Sequence, residues 1–124
     1  MDDEPEILSL LAEILETAGH QVSTAANGRT ALERIARGEA YDLILLDVKM
    51  PEIDGRAVFE ALVREHPEVA RRVIFSTGDV ISNDTRAFIA ASGRPAVMKP
   101  FVSDDIERVL RAAVASLRES PAGW

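Results

Sequence analysis

Six side chains in this 124-residue chain could do chemistry together: Asp2, Asp3, Asp47, Ser76, Thr77 and Lys99. Carboxylates crowded within a few ångströms repel, and one takes up a proton unless a cation intervenes. Oxygen ligands from one or two carboxylates, with room left for water and phosphate, describe a Mg2+ site. An ammonium and a hydroxyl opposite the metal would neutralise and hydrogen-bond a phosphoryl group. The set points to phosphoryl chemistry on a carboxylate. Asp47 is the best nucleophile, because it ends the unbroken apolar run Leu43-Ile44-Leu45-Leu46, a buried and rigid strand. Taken singly, each residue has an ordinary reading as a helix-start acid, a loop hydroxyl or a solvated charge. Their weight comes from falling together.

Whether they fall together depends on the elements that carry them. Apolar residues at helical spacing predict helices over Pro5 to Ala18, Thr30 to Arg37, Arg56 to Glu65, Asn83 or Asp84 to about Ser92, and from Ser103 through Leu117. Short strands are expected at Val22 to Ala25, Asp42 to Asp47, Val73 to Ser76 and Ala96 to Met98. Strands alternating with helices at this spacing mean an open, doubly wound parallel α/β sheet with helices on both faces. In such sheets ligands bind beyond the carboxyl ends of the strands. Asp47, Ser76, Thr77 and Lys99 fall at successive strand ends, with Asp2 and Asp3 just before the first helix.

Composition narrows the classes of function. The 14 basic residues against 21 acidic ones give a net charge of −7, unsuited to a nucleic-acid surface and better matched to a cation or a basic partner. Six aromatics give little support for stacking on bases or sugars. The absence of cysteine excludes disulfides, thiolate metal sites and cysteine nucleophiles. No apolar run approaches the length needed to span a bilayer, and the acidic start is no signal peptide. One cytoplasmic domain is expected, over residues 1–118, with a short tail over 119–124. Of the basic residues, two are lysines, Lys49 and Lys99, and 12 are arginines. Twice, then, a flexible point-charge ammonium is used where the chain otherwise uses Arg. His20 and His66 are isolated and read as surface residues.

The segments Asp2-Asp3-Glu4-Pro5, Leu45-Leu46-Asp47-Val48-Lys49-Met50-Pro51-Glu52-Ile53-Asp54-Gly55, Ser76-Thr77-Gly78 and Met98-Lys99-Pro100-Phe101 resemble the receiver domain of bacterial two-component response regulators. The separations match the family's: 44 residues from Asp3 to Asp47, 30 to Thr77 and 22 to Lys99. The segments Thr77-Gly78-Asp79, Thr85-Arg86-Ala87-Phe88 and Gly93-Arg94-Pro95 look most like receivers of hybrid histidine kinases. The resemblance implies a flavodoxin-like (βα)5 fold and a role for each residue. Asp47 would accept a phosphoryl group from a phosphohistidine on a sensor kinase or phosphotransfer protein. Asp2, Asp3, the Asp47 carboxylate and the Lys49 backbone carbonyl would hold Mg2+. Thr77 would hydrogen-bond the phosphoryl oxygen, Lys99 would pair with it, and the Lys99-Pro100 bond would be cis. Family members dock the kinase through the first helix and the loop at Phe101, and signal through the last two strand–helix units.

Three departures from the family pattern carry expectations of their own. Ala96 stands where the family usually has an aromatic whose rotation reports phosphorylation, so output here must use backbone or loop movement. Lys49 and Asp79 occupy the two positions that govern hydrolysis of the acyl phosphate. Their opposite charges would bridge over Asp47 and lengthen the phosphorylated lifetime. Finally, the family's first strand is represented by Met1 alone. Lacking ~5 residues, several worth ~1.5–3 kcal/mol each when buried, is serious for a domain of ~5–15 kcal/mol total stability. A chain starting at Met1 is expected to fold poorly as a monomer, or to recruit a strand as a homodimer or strand-swapped dimer.

Two rival functions are weaker. A Mg2+-dependent aspartyl-phosphate phosphohydrolase of the haloacid-dehalogenase-like class would need a carboxylate where Lys49 stands, so an enzyme is disfavoured. A non-switching interaction module would keep the fold without the response, and Ala96 favours it. No nucleic acid and no membrane are expected as partners.

Overall fold

The computed structural model describes residues 1–2, 4–48, 54–78, 83–99, 101 and 103–119. Three parallel strands form its sheet, in the order β1 (Ile44–Asp47), β2 (Val73–Thr77) and β3 (Ala96–Met98). Ile44 pairs with Val73 and Asp47 with Ser76, while Phe75 pairs with Ala96 and Thr77 with Met98. The apolar runs supply these strands because a sheet covered on both sides needs no polar face.

Side chains alternate across a strand, so each strand feeds both faces. On one face Ile44, Leu46, Val73 and Phe75 pack with Ile35 of α2 (Gly28–Ala36) and with Val58, Phe59 and Leu62 of α3 (Gly55–Glu65). On the other, Ile74 and Val97 meet Leu11 and Leu15 of α1 (Pro5–Thr17) and Ile106, Leu110 and Ala113 of α6 (Ser103–Glu119). The doubly wound α/β arrangement expected from the sequence is present. A one-turn helix α4 (Pro67–Ala70) follows α3, and α5 (Asn83–Ser92) connects β2 to β3.

Helix limits follow local chemistry. Asn27 caps α2, its side-chain oxygen accepting the Thr30 N–H at 2.9 Å, and Asp54 caps α3 by accepting the Ala57 N–H at 2.9 Å. Pro67 ends α3, as expected, but also opens α4 from its first turn, where a missing N–H costs nothing. His66, half-buried, sits at that joint, while His20 is exposed with its Nε2 3.6 Å from a Glu107 carboxylate oxygen.

The strand expected at Val22 to Ala25 does not form; residues 21–25 carry no ladder pairing. The neighbour on its sheet side is Met1–Asp2. Among the described residues that contact supplies one bond, from the Asp2 N–H to the Ala25 carbonyl at 3.2 Å. Strand geometry needs a partner running alongside over several residues, and here the pairing is too short to impose it. Met1 itself behaves as one rung of a parallel strand: its amino group donates to the Leu45 carbonyl at 2.6 Å, and its own carbonyl accepts the Asp47 N–H at 3.0 Å.

Candidate functional site

The carboxyl end of the sheet gathers four of the residues singled out from the sequence. Asp47 closes β1, Thr77 closes β2 and Lys99 follows β3. The ladder carries one bond past the strand ends on each side. The Val48 N–H donates to Ser76, and the Lys99 N–H to the Thr77 carbonyl at 2.9 Å. These bonds fix the strand termini relative to one another, so the side chains at the rim are set by the sheet rather than by flexible loops. Ser76 lies one residue inside the rim and Thr77 at its edge, and both are buried.

Lys99 is the hub. Its Nζ lies 2.9 Å from Asp2 Oδ2 and 3.3 Å from Asp47 Oδ2. Asp2 is 0% exposed and Asp47 4%, so two carboxylates with almost no access to solvent share one ammonium. Burial works against the charged form of Lys99. The contact with Asp2 and the charge of Asp47 outweigh it, and its pKa stands above the ordinary 10.5. The Met1 amino group beside them is lowered to about 6, chiefly by burial, although Asp2 and Asp47 draw it back up.

Asp2 is held in place by its own turn, with Oδ1 accepting the Glu4 N–H at 3.0 Å. Its other oxygen is buried and paired with the Lys99 ammonium at 2.9 Å. Two buried carboxylates converging on a single ammonium leave an excess of hard oxygen donors, which a hard cation suits. Asp2 and Asp47 therefore fit a Mg2+ ion. Among the described residues no group of three His, Cys, Asp or Glu side chains gathers around a metal position. Asp3, the third expected carboxylate, lies outside the described residues, as do Lys49, Asp79 and Pro100.

Gly55 belongs to the site in a way its sequence position did not reveal. A Cβ there would sit 2.0 Å from the Asp47 carbonyl oxygen and 2.9 Å from the Val48 Cα, so only glycine lets α3 begin this close to the phosphoacceptor candidate. The Gly55 N–H also donates to the Val48 carbonyl at 2.9 Å.

Ala96 is half-buried opposite Phe75 and packs against the same apolar cluster as Phe88 and Ile89 of α5. Phe75, its partner across the sheet, belongs to a cluster of three rings. Phe75 stands 5.3 Å from Phe59 and 5.2 Å from Phe88, and Phe59 stands 6.0 Å from Phe88, all edge-to-face.

An open parallel sheet with its polar residues clustered at the strand carboxyl ends defines the class of doubly wound α/β proteins that bind at that rim. Residues 1–111 match the family model of the response regulator receiver domain, and the chain belongs to that family. It is 36% identical over 112 residues to the transcriptional regulatory protein TcrA of Mycobacterium tuberculosis, covering 90% of this chain and 43% of that protein. Among solved structures, a CheY-like receiver domain protein from Methanospirillum hungatei superposes with a TM-score of 0.84 at 27% identity, covering 96% of this chain and 93% of that one. The receiver domain of NtrX from Brucella abortus gives 0.81 at 30% identity, with coverage of 93% and 95%. The chain spans less than half the length of the curated relatives it matches.

Proposed function

We propose that this domain accepts a phosphoryl group on Asp47 from a phosphohistidine of a sensor kinase or phosphotransfer protein. The observation that carries the reading is the buried Asp2–Lys99–Asp47 constellation at the strand carboxyl ends. In the transfer, an Asp47 carboxylate oxygen attacks phosphorus, the P–N bond breaks, and the donor imidazole leaves with the electron pair. Lys99 neutralises the charge gathering on the phosphoryl oxygens, and the Thr77 hydroxyl donates to one of them. Asp2 and Asp47, with Asp3 and the Lys49 carbonyl, would hold Mg2+, whose chemistry is to offset the repulsion between the carboxylates and the incoming group. The role is signalling; turnover is limited to gain and loss of this one acyl phosphate. Lys49 and Asp79 shield that acyl phosphate from water, so Lys49→Ala should shorten its lifetime.

The direct test is incubation of the chain with Mg2+ and acetyl phosphate, followed by intact mass. The expected result is gain of one phosphoryl group, abolished in Asp47→Ala and dependent on Mg2+. A wild-type chain whose mass does not change, or an Asp47→Ala chain that still gains the group, would overturn the assignment.

A further inference from the structure

Helix α5 presents most of its side chains to solvent. Thr85 is buried and Phe88, Ile89 and Ser92 are half-buried, while Asn83, Asp84, Arg86, Ala87, Ala90 and Ala91 are exposed. Its largest anchor is Phe88, whose ring meets Phe75 of β2 and Phe59 of α3 edge-to-face. A helix so lightly packed has local opening within reach of small perturbations.

The third contact on that ring is a cation. The Arg56 guanidinium carbon lies 5.1 Å from the centroid of Phe88, within cation–π range. Arg56 is the second residue of α3 and follows Gly55, whose backbone lies against the Asp47 carbonyl. Its Nε also donates to Glu60 Oε1 at 3.3 Å, which ties the guanidinium to the α3 surface. A continuous set of contacts thus runs from the Asp47 carbonyl through Gly55 and Arg56 to Phe88 and α5. At Ala96, the β3 residue beside this cluster, a methyl group offers no rotamer to turn.

We propose that Arg56 is a positioning residue that clamps Phe88 and thereby couples the state of Asp47 to the packing of α5. The proposal rests on Asp47 as phosphoacceptor. When the group on Asp47 shifts the β1 end, α3 starts from a displaced Gly55, the guanidinium leaves the Phe88 ring, and α5 loosens. The element that changes state is α5, and the bias reaches it through one side chain that touches neither phosphate nor metal.

The test uses the whole chain with Mg2+ and beryllofluoride, a phosphoryl mimic, and reads two things separately. Native mass reports loading of the site, and amide hydrogen exchange over residues 83–92 reports α5. In the wild type, loading should speed exchange of α5. In Arg56→Gln without ligand, α5 should already exchange about two- to five-fold faster, as loss of an exposed cation–π contact predicts. Loading should then occur normally while α5 shows no further response. Arg56→Lys keeps a cation over the ring and should restore both the slow exchange and the response. The coupling is overturned if Arg56→Gln exchanges and responds as the wild type does, if Arg56→Lys behaves as Arg56→Gln, or if the wild type loads with α5 unmoved. A wild type that does not load overturns the Asp47 assignment and the coupling with it, and the mass readout tells that failure from the others.

Discussion

Helices α3 and α5 lean on the same phenylalanine of β2 and are fastened to the domain in opposite ways. α3 buries Gly55, Val58, Phe59 and Leu62, has a side-chain cap at Asp54, and starts in backbone contact with Asp47. α5 buries Thr85 and otherwise rests on half-buried side chains. The difference teaches how one small domain can hold a reactive centre still and yet respond to it. The helix that positions the site is tied by burial, whereas α5 rests on one buried threonine, a few half-buried side chains and a ring under a cation. Stability within a fold is distributed unevenly, and responsive elements come from the weakly held part.

The comparison can be broken by cavity mutations. Leu62→Ala in α3 should cost about 2–5 kcal/mol in denaturant unfolding, because the side chain is fully buried and its cavity cannot collapse. Ile89→Ala in α5 should cost about 1 kcal/mol or less, in proportion to its partial burial. Equal losses at the two positions would remove the contrast. At the next level, Gly55→Ala should destabilise by about 1–3 kcal/mol and weaken beryllofluoride loading, since the new methyl collides with the Asp47 carbonyl. Gly78→Ala makes a sharper control. Its methyl would meet Lys99 Cβ and Cδ at 3.7 Å, an ordinary contact, and stability should change by about 0.5 kcal/mol at most.

The smallest effect lies at high pH. Lys99 has a pKa above its ordinary 10.5 in the folded chain, so the folded state binds its proton more tightly than the unfolded state does. The stability this supplies is complete below about pH 10.5 and is lost as pH climbs through the folded value. Lys99→Met should flatten that part of the stability–pH curve measured by urea unfolding. A curve of unchanged slope would show that Lys99 does not carry the shift.

Much of the fold is legible in the pattern of residues alone. The unbroken run ending at Asp47 gave a strand buried on both faces, and helical stripes gave α1, α2, α3, α5 and α6 to within a few residues. Both signals are local, because burial on one or two faces is written into the period of the apolar residues. The strand expected at Val22 to Ala25 failed for a non-local reason: its residues suit a strand, but pairing depends on what runs beside them. The short α4 was missed because one turn of helix leaves no periodic signature.

The site divides in the same manner. Residue types and intervals singled out Asp2, Asp47, Thr77 and Lys99, and the comparisons place the chain among receiver domains. The sequence by itself determined which groups stand at strand ends, since a strand boundary and a carboxylate can both be read from neighbours in the chain. Tertiary structure alone decided that Asp2 and Asp47 share the Lys99 ammonium, that Gly55 presses against the Asp47 carbonyl, and that Arg56 covers Phe88. Those contacts join residues on separate elements. Their distances depend on sheet register and helix placement, which no local pattern encodes.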